Sequence, residues 1–204
     1  EALEHVMLAG FSHLPAIEHA ERLTAAAPRG LTRCFYADSG SAAVEVALKM
    51  SYHYWRNRGQ TGRTRFITLE NSYHGETLGA LAVGGVELYR DTYRPLLMET
   101  LRVPSPDCYG REPGEDPAAY TARRFELMLA TLDRHHAEPC AVLVAPLVQC
   151  AGGMAMHDAT YLRGLRALCD AYEIHLIADE IAVGCGRSGS FFAFEQAAAD
   201  GEAP

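Results

Sequence analysis

Apolar and polar positions change period repeatedly along the chain. From Ala16 to Ala27, Ile17, Ala20 and Leu23 recur at helical spacing. Ala42 to Arg58 repeats that spacing strongly, with Val46, Lys49, Met50 and His53 near one face. Glu76 to Val83, Tyr120 to His136 and Ala159 to Tyr172 also read as helices. Between them stand apolar runs of strand length: Arg33 to Ala37, Arg65 to Leu69, Ala141 to Ala145 and Ile174 to Ile181. The last of these is predicted as a short buried strand that ends in two acids. Tyr89 to Pro117 is rich in proline and polar residues and reads as an excursion rather than a separate domain. There is no internal repeat and no low-complexity tract.

Strands alternating with helices predict an α/β fold with a mostly parallel sheet and helices on both faces. Each predicted strand runs into a turn of Gly, Ser, Tyr or Asp at its carboxyl end. In open α/β sheets that edge is where ligands bind. The candidate chemistry should therefore sit in those turns.

Composition narrows the partners. With 49% hydrophobic residues in 204, the chain can bury a full core. A net charge of −8 argues against a nucleic-acid partner. No apolar run reaches membrane-spanning length, and there is no signal-peptide pattern. Six cysteines are scattered without a C-x-x-C pair, which points to free thiols in a reducing, cytoplasmic setting. The start at Glu1 without methionine, and the unfinished look of Asp200-Gly201-Glu202-Ala203-Pro204, lead us to expect part of something longer. Lys49 is the single lysine, so lysine-dependent chemistry has one candidate here.

Asp179 is the sharpest residue. An ionised carboxylate at the end of an apolar strand is costly unless a cation faces it. A protonated ring nitrogen of a cofactor would suit it. Its plainer role is to cap a neighbouring loop, and Glu180 is the better candidate for that. Ser39-Gly40-Ser41 lies between a strand and a helix, where free N–H groups favour a phosphate, although an ordinary capped helix start explains the same residues. Tyr73-His74-Gly75 offers an aromatic face with room beside it, or else a turn with a core tyrosine. Gln149-Cys150-Ala151-Gly152-Gly153 is suggestive without being specific. Gly184-Cys185-Gly186-Arg187-Ser188-Gly189 matches a nucleotide fingerprint, but it follows the last strand and lacks the later acid, so it is discounted. None of the nine histidines falls in a metal-ligand spacing, and no metal site is expected.

Taken in order, Ser39-Gly40-Ser41, Tyr73-His74-Gly75, Pro146 to Gly153 and Ile177-Ala178-Asp179-Glu180-Ile181 resemble the class III aminotransferases. These are fold-type I enzymes that use pyridoxal 5'-phosphate (PLP). The stretch Ser41 to Met50, then Tyr54-Trp55, then Gly186-Arg187-Ser188-Gly189, is similar to the branch that serves biotin synthesis. The resemblance begins near Phe11 and implies a PLP-binding large domain, here incomplete, over 31–204, with 1–30 as a helical lead-in. It implies that Gly40 and Ser41 hold the cofactor phosphate, that Tyr73 stacks on the ring with His74 beside it, that Asp179 pairs with the ring nitrogen, and that Ile181 packs on the other face. Asp179 and Tyr73 are then the catalytic candidates. It also implies a homodimer that moves an amino group from S-adenosylmethionine to 8-amino-7-oxononanoate.

Two departures accompany the resemblance. The family's Schiff-base lysine lies after the Asp179 strand, and Lys49, on the helix after the phosphate turn, cannot replace it. Ala145 stands where the family usually has glutamate. The alternatives are another ω-aminotransferase with a different amine donor, a non-catalytic scaffold that binds phosphate compounds, or a nucleotide-dependent oxidoreductase built on the Gly184 turn.

Overall fold

The computed structural model describes residues 3–198. Glu1 and the tail from Asp200, with the expectations attached to them, lie outside the described residues. Helices begin where the chain supplies caps. Ser39 accepts the Ala42 amide ahead of α2 (Gly40–Asn57). Asp116 does the same for Ala119 ahead of α5 (Pro117–His135), where Pro117 needs no hydrogen-bond partner for its nitrogen. Asp158 caps α6 (Ala159–Ala171). Two further helices are α1 (Leu14–Ala26) and α3 (Leu78–Val83). A single-turn α4 (Glu87–Arg90) follows α3.

The main sheet has four strands: β1 (Arg65–Leu69), β2 (Leu101–Val103), β3 (Pro139–Val144) and β6 (His175–Ala178). Their spatial order is β2-β1-β3-β6 and every pairing is parallel. A small antiparallel pair, β4 (Val148–Gln149) with β5 (Ala155–Met156), leaves the carboxyl end of β3.

Strand alternation sends residues to two cores. Ile67, Leu69, Val142 and Val144 meet Met128 and Leu132 of α5 and Leu165 and Cys169 of α6. On the opposite face Phe66, Ala141 and Leu143 meet Val44, Leu48 and Trp55 of α2 and Ala80 and Val83 of α3. With helices on both faces, β3 is buried at all six positions. The α2 stripe that does this is Val44, Leu48, Ser51 and Trp55; Lys49, Met50 and His53 lie on its outer side. Trp55 also donates its indole N–H to the Cys140 carbonyl at 2.8 Å, and the Arg63 guanidinium covers its ring at 4.1 Å. That bond ties α2 to the central strand.

Three expectations are corrected. Arg33 to Ala37 forms no strand. Its side chains lean on α1 instead: the Tyr36 hydroxyl donates to the Ala16 carbonyl at 2.6 Å and its ring stacks on His19, so no ladder partner is taken. The stretch from 89 to 117 is not wholly an excursion, because Leu101–Val103 enters the sheet as an outer strand. It is too short, and too interrupted by Arg102, to stand out as a pattern. The strand before Asp179 is half-buried rather than buried, since β6 is the other outer strand and pairs on one side only. No residue of α1 is buried, in keeping with a lead-in that stays outside both cores.

Leu165→Ala, at the centre of the α5–α6 core, should cost the intact protein about 2–5 kcal/mol in urea unfolding. Leu88→Ala, at a side chain 83% exposed, should change stability by less than about 0.5 kcal/mol.

Candidate active site

A parallel sheet delivers the carboxyl ends of its strands to one edge, and here three loops converge there. The turn after β1 brings Tyr73, His74 and Gly75. The segment after β3 brings Ala145, Val148, Cys150 and Ala151. The end of β6 brings Asp179, Ile181 and Ala182. With Ser39, Gly40 and Ser41 at the start of α2, they line one cavity of about 360 Å³. That volume suits a small-molecule ligand.

At the floor, the His74 imidazole donates through Nδ1 to Oδ2 of Asp179 at 2.6 Å. The His74 side chain is fully enclosed and that of Asp179 is 7% exposed. The other carboxylate oxygen, Oδ1, accepts the Ile181 amide at 3.1 Å. Asp179 is thus gripped from behind and from its own chain, while its open side faces the cavity. His74 Nε2 is buried with no partner, so the ring's one hydrogen bond is spent on Asp179.

At the far wall, the first turn of α2 leaves backbone donors open. Ser39 Oγ takes the Ala42 amide, whereas Gly40 and Ser41, the first two helical residues, have no intrahelical acceptor. The helix dipole adds partial positive charge at the same point. Space there is kept by glycine. A Cβ on Gly40 would come within 2.8 Å of Ile181 Cδ1. A Cβ on Gly75, whose φ is +116°, would lie 2.0 Å from Ser41 Oγ. Ser41 Oγ accepts the Glu76 amide at 3.2 Å, which locks the β1 turn to the helix start.

Tyr73 stands at the side. Its hydroxyl donates to Glu76 Oε1 at 3.1 Å and its ring meets Tyr89 edge-on at 5.3 Å. Partial burial, then the Glu76 carboxylate, push its phenol above the ordinary range. Glu180 takes the loop-capping role: its two carboxylate oxygens accept the amides of Ala193 and Phe194 at 2.8 and 2.9 Å. Burial raises its carboxyl, opposed by those two bonds. It anchors the far end of the loop that begins with Ile181.

All six predicted positions, Gly40, Ser41, Tyr73, His74, Asp179 and Ile181, line this one cavity. Gln149 does not. Its side chain is buried away from the cavity and its Oε1 bonds the Ser105 hydroxyl at 3.0 Å. Cys150 and Ala151, from the suggestive turn after β3, and Ala145, the departure from the family pattern, do line the cavity; Ala182 and Val148 had no signal of their own, since small apolar residues carry none. The Gly184 turn opens no helix, and Gly186 and Gly189 have φ of +85° and +108° in irregular backbone. It lacks the strand–turn–helix geometry of a nucleotide fingerprint. Lys49 is exposed on α2 and is not part of the cavity wall.

An open parallel α/β sheet with this crevice is the architecture of the fold-type I transaminases, whose solved members superpose closely on the chain. An adenosylmethionine-8-amino-7-oxononanoate aminotransferase from Methanocaldococcus jannaschii aligns with a TM-score of 0.83 at 33% identity, over 93% of this chain and 40% of that one. An amine transaminase from an uncultivated Pseudomonas species, solved in PLP-bound form, aligns at 0.82 and 36%, over 93% and 43%. The family described as Aminotransferase class-III matches residues 1–204, and the chain belongs to it. Adenosylmethionine-8-amino-7-oxononanoate aminotransferases of Helicobacter pylori and Geobacter sulfurreducens are 49% and 43% identical, each over 95% of this chain. The chain spans 42% and 43% of their lengths.

Gly75→Ala should destabilise the protein by at least about 2 kcal/mol, since it adds a strained φ to a direct overlap with Ser41. Thermal unfolding of the intact protein would register it as a lower midpoint.

Proposed function

We propose that this chain forms the PLP-binding part of an aminotransferase that moves an amino group from S-adenosylmethionine to 8-amino-7-oxononanoate, giving 7,8-diaminononanoate for biotin synthesis. The observation that carries the reading is Asp179: a nearly buried carboxylate, held on both oxygens, that opens on a cavity whose opposite wall is a helix start with the Gly40 and Ser41 amides unspent. A ligand with a phosphate at one end and a protonatable ring nitrogen at the other matches both features. The names of the relatives at 43–49% identity support the particular reaction.

When bound, PLP supplies an electron sink for loss of the substrate's Cα proton. The roles of the chain's own residues follow from their chemistry. Gly40 and Ser41 present backbone N–H groups, and the Ser41 hydroxyl, to the phosphate. The Asp179 carboxylate, held by His74 and the Ile181 amide, would face the ring nitrogen and favour its protonated form. His74 fixes the orientation of that carboxylate and spends no donor on the ligand. Tyr73 and Ile181 supply the two flat walls. Glu180 keeps Ile181 in place by anchoring the loop behind it. Among the described residues no lysine lines the cavity, since Lys49 is exposed on α2, so an amine to hold the cofactor would have to be supplied from outside residues 3–198.

Residues 31–204 then belong to the large domain and 1–30 lead into it. A homodimer with its sites at the subunit interface, as the family implies, would complete the cavity. The six free cysteines suit a reducing, cytoplasmic setting, and no described helix is long and apolar enough to cross a membrane.

A second reading is favoured by Ala145, which lines the cavity where the family usually carries glutamate. In that reading the intact protein binds PLP without turnover. Offering the intact protein S-adenosylmethionine and simple amines as donors separates the readings. Transfer from S-adenosylmethionine alone supports the biotin-pathway reaction, transfer from simple amines supports another ω-aminotransferase, and PLP binding without transfer supports the scaffold.

Asp179→Asn should preserve the fold yet lower kcat by about a hundredfold or more, since a neutral amide no longer favours the protonated ring. Steady-state kinetics, with circular dichroism as the control for folding, would check this. Near-native turnover would remove Asp179 from the role given it here.

A further inference from the structure

The backbone that forms the β3 wall of the cavity makes an uncommon turn. After Ala145 and Pro146, Leu147 sits at φ +63°, and the Val148 amide donates back to the Pro146 carbonyl at 2.7 Å. A three-residue turn closed this way around a positive φ is rare and strained, and a branched, non-glycine residue at its centre adds to the cost. Such a conformation persists only where its surroundings over-determine it. Here the β4–β5 pairing of Val148 with Met156 holds the residue after the turn, and His157 holds Leu147 itself. The Leu147 amide donates to Nε2 of His157 at 3.0 Å, and the His157 amide donates to the Leu147 carbonyl at 3.0 Å. His157 thus grips both backbone polar groups of the strained residue. Its own side is fixed in turn, since it is 6% exposed and its ring packs edge-on against Tyr161 at 6.2 Å.

The turn matters because its neighbours are cavity wall. Ala145 precedes it, and Val148 and Cys150 follow it. We propose that His157, which lies outside the cavity, is a positioning residue: its imidazole, accepting at Nε2, holds Leu147 in the strained turn and so sets the wall formed by Ala145, Val148 and Cys150. The effect on cofactor binding rests on the reading of this cavity as a PLP site; the effect on the turn does not.

An accepting Nε2 requires a neutral ring with its proton on Nδ1. The groups facing the ring are Asp107 ahead of the short helix at Cys108–Gly110, Asp158 beside it and the Tyr161 phenol from α6, with the Cys108 thiol next to the two acids. The acids favour a charged imidazole, but burial outweighs them and pushes it down from the ordinary 6.5 to about 4. The folded protein therefore resists a proton that the unfolded chain takes up first. The stability contributed by this contact is complete above pH 6.5 and is lost as pH falls towards about 4.

The test compares three variants of the intact protein at neutral pH. Glutamine can place an acceptor near the position of Nε2, leucine removes the acceptor at similar bulk, and asparagine keeps polarity but falls short. Hydrogen exchange of the 147–150 amides, read without cofactor, should be at least about tenfold faster in His157→Leu and His157→Asn, and within about threefold of native in His157→Gln. Adding Leu147→Gly to His157→Leu should recover part of the cofactor affinity, because glycine adopts the positive φ without the clamp. PLP dissociation constants should rise by at least about fivefold in the leucine and asparagine variants and stay near native in the glutamine variant. Native exchange in both His157→Leu and His157→Asn would overturn the proposal. If His157→Leu does not fold, the glutamine–asparagine contrast decides alone. If the native protein binds no PLP, the cofactor reading fails, while the exchange result still decides whether His157 holds the turn.

Discussion

The hydrogen bond between His74 and Asp179 is the contact on which the site depends. A carboxylate this enclosed is stable only with partners, because removing a charge from water costs several kcal/mol, of order 3–5 when one partner of a buried pair is lost. His74 and the Ile181 amide supply those partners from two different strand ends. The same contact therefore does two things. It fastens the β1 turn to the β6 turn across the intervening β3 strand, and it leaves one charged side of Asp179 unmet by protein. That unmet side is what makes a structural hydrogen-bonded pair a candidate binding site.

The remaining architecture brings that pair opposite the start of α2. Parallel strands put their carboxyl ends on one edge, the helices on both faces bury β3 completely, and the Trp55–Cys140 bond holds α2 against the sheet. The start of α2 then arrives at the same edge as Asp179. Glycine at positions 40 and 75 keeps the space between helix start and turn at backbone dimensions, as the overlaps with Ile181 and Ser41 demonstrate.

Legibility in the sequence followed the strength of the physical signal. β1 and α6 were readable almost to the residue, because a buried strand and a strongly amphipathic helix each impose one period on the chain. Leu101–Val103 was hidden, since three residues split by an arginine carry no period at all. Arg33 to Ala37 was misread: its composition suits a strand, but the contacts of Tyr36 with α1 decide its conformation, and those are tertiary. At the site, residues whose chemistry is unusual for their position stood out, Asp179 above all. Val148 and Ala182 did not, because a wall needs only shape. Gln149 misled for the opposite reason, a polar residue near the right edge whose partner, Ser105, lies on the other side of the chain. The strained turn at Leu147 had no sequence signal, as nothing in Pro-Leu-Val announces a positive φ.

A crystal structure of the intact protein grown with PLP is the most direct measurement. The account expects phosphate oxygens within hydrogen-bonding reach, about 3 Å, of the Gly40 and Ser41 amides, and the ring nitrogen about 2.8 Å from an Asp179 oxygen, with His74 still bonded behind it. Phosphate bound elsewhere, or a ring nitrogen turned away from Asp179 towards the apolar wall, would contradict it.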